Sequence, residues 1–178
     1  MTAAKKYIPH YTIEDYARWE GDWELWDGVP VSMAPGPFGR HQKLAGDIMM
    51  LLRDALKTAE CNAEVTFELD WIVSDDTVVR PDVLVICDGI PDRHLETTPA
   101  LIVEVLSEST RDRDQTYKRD LYEREGVTVY LIADPDARTL QVLRLNESGK
   151  YEVVPESGEL RLTICESCEL TLAMSSLF

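Results

Sequence analysis

The chain has 178 residues, 44% hydrophobic and 29% charged, the size and composition of one soluble domain able to bury roughly 70% of its unfolded surface. No run of about 18 apolar residues could cross a bilayer, and Lys5 and Lys6 are not followed by the apolar segment of a secretory signal. A cytoplasmic, single-domain protein over residues 1–178 is therefore expected. Eighteen basic against thirty-three acidic residues leave a net charge of −15, which repels a polyanion unless positive charge is gathered locally, and so disfavours indiscriminate coating of nucleic acid.

Thr12-Ile-Glu-Asp15 has the form of a capped helix start, with a short helix ending near Gly21. Trp23 to Trp26 and Val29 to Met33 are strand-like runs around Asp27-Gly28, a dipeptide that supplies positive φ to a tight hairpin turn. Pro35 to Gly39 predicts a loop. From His41 to Leu56 the apolar positions Leu44, Ile48, Leu51, Leu52 and Ala55 recur at three and four, which predicts an amphipathic helix.

Ala63 to Leu69 alternates as a half-buried strand does, and Trp71 to Val79 predicts further extended chain with a turn. Asp82 to Cys87, Ala100 to Leu106 and Val127 to Ala133 are nearly continuous apolar runs, the mark of central strands covered on both faces. Between the last two, the charged segment Arg111 to Glu125 predicts a helix stopped by Gly126. That strand, helix, strand order implies a parallel crossover. Past Asp134-Pro135 a meander is expected: strands over Leu140 to Leu145 and Tyr151 to Val154, and a turn at Ser157-Gly158. The whole predicts a mixed α/β (α+β) domain with a central sheet, flanking helices and a small antiparallel C-terminal extension.

Cys61, Cys87, Cys165 and Cys168 are too few and too unevenly spaced for a disulfide framework, and a cytoplasmic chain would keep them reduced. A zinc site would need soft ligands beyond Cys165-x-x-Cys168, and His94 has no matching spacing. The expectation is small apolar residues in a C-terminal strand and turn.

Glu104 lies inside the run Leu101 to Leu106, where an unpaired carboxylate costs several kcal/mol. Asp82 opens another central strand, after Arg80-Pro81. Two such carboxylates on neighbouring strands repel unless a cation or proton lies between them, and hard oxygens suit Mg²⁺ or Mn²⁺. Two bland alternatives stand beside this: Glu104 paired with a buried Arg or Lys, and Asp82 capping a turn. Lys118, on the charged helix, can turn back over the strand end, or can form an exposed pair with Asp114 worth a few tenths of a kcal/mol. Arg111 to Glu125 carries five basic and five acidic residues, the least repulsive surface for a phosphate backbone, with a solvated helix face as its default reading.

Arg80-Pro-Asp82, Leu101-Ile-Val-Glu-Val-Leu-Ser107, Arg113-Asp-Gln-Thr-Tyr-Lys118, Leu121-Tyr122, Gly126-Val127 and Tyr130 to Pro135, with Trp23 to Gly28 and His41 upstream and Leu177-Phe178 at the end, closely resemble the Uma-two restriction-endonuclease family. The resemblance covers nearly the whole chain and implies the PD-(D/E)XK nuclease fold. It implies that Asp82 and Glu104 are metal ligands, with the carbonyl of Val105 a further ligand, that Glu24 is an additional acid of the site, and that Lys118 replaces the lysine expected two residues after Glu104, where this chain has Leu106. Glu24 could equally be an outward strand residue, and His41 could merely cap or stack.

The function so implied is Mg²⁺-dependent (or Mn²⁺-dependent) phosphodiester hydrolysis, in DNA. The acidic total argues that a homodimer, a partner or a local basic strip is needed to meet a duplex. The alternatives are a catalytically idle binding or scaffold protein on the same fold, or a phosphoesterase acting on small nucleotides. Leu170 to Met174 and Leu177-Phe178 could serve an interface, or simply pack on the parent core.

Overall fold

The computed structural model describes residues 9–33, 39–155, 158–174 and 177–178. Lys5, Lys6, the loop residues 35–38 and Ser157 of the expected turn lie outside them. The described residues form α1 (Ile13–Tyr16), β1 (Trp23–Trp26), β2 (Val29–Ser32), α2 (Gly39–Thr58), β3 (Glu64–Phe67), β4 (Trp71–Ser74), β5 (Thr77–Val79), β6 (Val83–Ile86) and β7 (Leu101–Val105). A helical run follows, in which α3 (Arg111–Arg113) and α4 (Arg119–Arg124) flank a π-helical turn (Asp114–Lys118). The chain ends in β8 (Val129–Asp134), β9 (Thr139–Leu145), β10 (Tyr151–Val154), β11 (Glu159–Ile164) and β12 (Cys168–Ala173).

The central sheet has the order β10-β9-β8-β7-β6-β3 among the described residues. β7 and β8 pair in parallel, with Leu101 opposite Val129, and the neighbouring pairs are antiparallel. Every residue of β6, β7 and β8 is buried, as expected for strands covered on both faces. On one face, Leu44, Ile48 and Leu52 of α2 pack with Val83, Val103 and Val105, and β11–β12 completes that layer with Leu162 and Leu172. On the other, Leu84, Ile102 and Ile132 meet Leu121 and Tyr122 of α4 and Trp71 and Val79 of the smaller sheet.

That smaller sheet has the order β2-β1-β5-β4. Its first hairpin turns at Asp27 and Gly28, both at positive φ (45° and 79°), the geometry of a type I′ turn. A Cβ on Gly28 would lie 2.2 Å from the His10 ring, so glycine is needed there for space as well as for φ. The helix at Thr12 is shorter than its pattern suggested: it ends at Tyr16, and the chain turns through Arg18 and Trp19 into a cluster of edge-on rings, Tyr11, Tyr16, Trp19 and Trp23.

The cysteine expectation is overturned. Cys61–Cys168 and Cys87–Cys165 are disulfides, with Cα–Cα distances of 5.7 and 5.6 Å. Sequence spacing could not show this, because the partners lie 107 and 78 residues apart and meet only once β11–β12 folds back on α2 and the central sheet.

Candidate active site

Val83 of β6 faces Val103 of β7, so Asp82, just before β6, and Glu104, just after Val103, come to the same end of this strand pair. The two acids, 22 positions apart in the chain, are thereby close neighbours, Asp82 meeting His41 of α2 and the backbone next to Glu104, and Glu104 meeting Lys118 and Tyr122 of the helical run. Asp82 is held by its approach. Arg80 donates from Nε to Asp70 Oδ1 (2.6 Å) and from Nη1 to Asp22 Oδ1 (2.8 Å), and Pro81 restricts the backbone between that anchor and the sheet. The Asp82 Oδ2 then accepts the Val105 amide N–H at 2.6 Å, and His41 Nε2, from the first turn of α2, lies 3.3 Å from the same oxygen.

Glu104 is buried, with 2% of its surface exposed, and two donors meet its Oε1: Lys118 Nζ at 2.9 Å and the Tyr122 hydroxyl at 2.7 Å. The bland expectation of a buried lysine partner is thus realised for Glu104. The expectation of an exposed Asp114–Lys118 pair is not, because both residues are buried. Lys118 Nζ also lies 3.0 Å from Glu24 Oε1 and 3.8 Å from Asp114 Oδ1. Asp114 and Lys118 are the first and last residues of the π-helical turn, four apart and so on one face of it, and the Tyr130 hydroxyl donates to the Asp114 backbone carbonyl at 2.9 Å.

Glu24 is no outward strand residue. It is buried in β1, accepts the Arg80 amide N–H at 2.8 Å on Oε1 and receives Trp26 Nε1 at 3.1 Å on Oε2. The hairpin bearing it is seated on the π-helical turn by Trp26 stacked on Tyr117, with ring centroids 4.3 Å apart, and by Arg113 5.7 Å over the Trp26 ring. Arg113 is therefore committed to the fold. Arg111 is paired with Asp134 (2.7 Å) and Arg124 with Glu125 (3.0 Å), so the basic residues of this helix form a paired face, not a free cationic strip.

The electrostatics are set by a surplus of acids. Asp82, Glu104, Glu24 and Asp114 face one ammonium and one imidazole. Burial pushes the Glu104 carboxyl well up; Lys118 and the Tyr122 hydrogen bond oppose the shift, and the charges of Asp114 and Asp82 add to it. Burial likewise raises Asp114 to about 6 against the pull of Lys118. Lys118 goes up as well: burial works against its charge, but Glu104, Glu24, Asp114 and Asp82 together outweigh it. His41 loses charge to burial and regains more from the Asp82 hydrogen bond and charge and from the Val105 backbone, so it too is raised.

Sequence reasoning missed Asp114 and Tyr122 as members of the site. Their signal was the four-residue spacing Asp114, Lys118, Tyr122 along one helical face. Among the described residues no group of three or more His, Cys, Asp or Glu side chains is drawn together as metal ligands, since Glu24, Glu104 and Asp114 are turned toward the ammonium. Asp82 is the more open acid, its side chain 20% exposed against 3% for Glu104. It borders a cleft of about 210 Å³ shared with His41, Met49, Phe67 and Glu68.

A mixed central sheet covered by helices, with Glu104, Glu24 and Asp114 gathered around Lys118 at one end of it, is of the restriction-endonuclease-like fold class. A solved structure described as "a putative nuclease belonging to DUF820", from Anabaena variabilis, has the same fold: TM-score 0.74 at 20% identity, over 94% of this chain and 97% of that one. The chain belongs to the Uma2 family, described as "Putative restriction endonuclease", whose match runs over residues 13–175. It is also 26% identical to an uncharacterized protein of Synechocystis over 96% of this chain and 93% of that one.

Proposed function

We propose that this chain is a cytoplasmic, Mg²⁺-dependent (or Mn²⁺-dependent) endonuclease that hydrolyses phosphodiester bonds in DNA. The observation that carries the reading is the gathering of Glu104, Glu24 and Asp114 around Lys118, with Asp82 bound to the Val105 amide beside them, so that carboxylates outnumber cations. Such a surplus favours a divalent ion, and the donors suit a hard one: two carboxylates and the Val105 carbonyl, with the rest of the shell left to water and substrate phosphate, as Mg²⁺ commonly has it. Bound there, the ion would polarise the phosphate and acidify a water.

The protein's own groups fix the geometry. Lys118 and Tyr122 hold Glu104 through Oε1, and Glu24 holds Lys118 in turn. The Val105 amide orients Asp82. His41, charged over a wider pH range than a free imidazole, offsets the negative charge at the open end where a phosphate would approach, and Lys118 adds positive charge from beneath. Burial of Glu24, Glu104 and Lys118 excludes water from all but the Asp82 side.

Purified wild type, Asp82→Ala and Glu104→Gln are to be compared on duplex DNA and on mononucleotide esters, with Mg²⁺, with Mn²⁺ and with chelator, alongside calorimetric metal binding. Metal-dependent cleavage of DNA that falls to background in both variants is expected. Equal cleavage by wild type and variants would mean a contaminant, and would sink the proposal. One observation favours the idle-scaffold reading instead: Lys118 is enclosed by three carboxylates and only 5% exposed. A folded wild type with no turnover on either substrate would select it.

A further inference from the structure

All four cysteines of the chain converge at one place. Cys165 and Cys168 form a Cys-x-x-Cys turn at the tip of the β11–β12 hairpin: Ile164 is opposite Cys168, Cys165 and Glu166 are at positive φ, and the Ser167 amide N–H donates to the Cys165 carbonyl at 2.8 Å. Cys61 and Cys87 come from the opposite layer. Glu64 faces Ile86 across β3 and β6, so one step on Ala63 lies beside Cys87, and Cys61 is two residues further, a diagonal neighbour. The four residues line one open cleft of about 720 Å³ with Glu60, Asp88 and Glu166. Asp82 precedes β6 and Cys87 follows it, so the length of the strand, about 16 Å, separates this cluster from the carboxylate site.

We propose that the reduced chain binds one Zn²⁺ through the thiolates of Cys61, Cys87, Cys165 and Cys168, and that the two disulfides and the zinc are alternative closures of the same joint. A Cys-x-x-Cys turn facing two further cysteines is the ligand set of a structural tetrathiolate site. The distances allow the exchange. Zn–S bonds of about 2.3 Å at tetrahedral angles put the sulfurs about 3.8 Å apart, whereas a disulfide holds them about 2.05 Å apart. Each pair must therefore open by about 1.7 Å, within reach of cysteine χ1 rotation and a small hinge of the hairpin tip. In a reducing cytoplasm disulfides are rare, and four partly buried thiols brought together would otherwise hold this joint only by packing. The balance is plain: a thiol or phosphine reductant gives four electrons, which with four protons convert two disulfides into four thiols, and Zn²⁺ then displaces the thiol protons.

The test uses the full chain, reduced with a phosphine under anaerobic conditions, freed of metal and reductant and titrated with Co²⁺, with circular dichroism to follow the fold. The expected result is one equivalent bound, with the near-ultraviolet thiolate-to-cobalt band and the intense visible bands of a tetrahedral four-sulfur site, all displaced by Zn²⁺. Asp82→Ala keeps the spectrum; Cys61→Ser and Cys168→Ser each lose its four-sulfur form. A reduced, folded wild type that takes up no cobalt overturns the proposal, as does a chain that keeps both disulfides under phosphine, or a spectrum unchanged in Cys61→Ser. None of these outcomes bears on the nuclease reading, which rests on the other end of β6.

Discussion

Lys118 Nζ sits 2.9 Å from Glu104 Oε1 with both side chains almost wholly buried, and the same ammonium lies 3.0 Å from Glu24. A single cation thus joins the central sheet, the helical run after it and the small N-terminal sheet. Removing one partner of a buried charged set leaves the others uncompensated, which costs about 3–5 kcal/mol. Lys118→Met is expected to lower the urea midpoint by that much stability with little change in slope. Adding Glu104→Gln to it should recover part of the loss, because one of the stranded carboxylates is then neutral. A Lys118→Met protein as stable as wild type would show that the ammonium contributes no net stability.

His41 gains charge from Asp82 against the pull of burial. Its folded pKa lies above the ordinary 6.5, so the stability it contributes is fully present below pH 6.5 and is lost as the pH rises through the folded value. An NMR titration should place the His41 midpoint above 6.5 in wild type and lower it in Asp82→Asn, where burial is no longer opposed by a full negative charge. A midpoint that is the same in both proteins would mean that Asp82 does not set the imidazole charge.

Asp114 gives a pH dependence of the same sign in a lower window. Its folded pKa, about 6, exceeds the ordinary 3.8, so the folded chain binds more protons than the unfolded one between these values, and stability falls as pH rises through that window. The shift corresponds to about 3 kcal/mol. Asp114→Asn should remove this slope: relative to its value at pH 4, the variant's stability at pH 7 gains up to about 3 kcal/mol over wild type, measured by urea unfolding at both pH values. Parallel stability curves for the two proteins would exclude Asp114 as the titrating group.

The disulfides close loops of 107 and 78 residues, for which chain entropy gives about 4.5 kcal/mol each. Under oxidising, metal-free conditions the double variant Cys87→Ser, Cys165→Ser is expected to lose about 4 kcal/mol in urea unfolding. Hydrogen exchange should rise first in β11 and β12, the hairpin those bonds tie to the core. Unchanged stability would show that packing of Leu162, Leu170 and Leu172 is enough to hold the hairpin.

Much of the fold is legible locally. Unbroken apolar runs marked β6, β7 and β8, the three- and four-residue spacing marked α2, and Asp27-Gly28 marked the first hairpin, because strand, helix and turn each impose a short period or a special φ on a few adjacent residues. The ordered acids and lysine were legible through the family resemblance. What local pattern could not supply was which charges meet. Asp114 and Lys118 read as an ordinary exposed pair until a π-helical turn and a hairpin anchored by Trp26 enclosed them, and Glu24 read equally well as facing outward. The cysteines read as unpaired small residues until the C-terminal hairpin crossed to the far end of β6. Burial and long-range pairing depend on where elements from distant parts of the chain come to rest, and a side chain's partner there, not its neighbours in sequence, decides its charge and its chemistry.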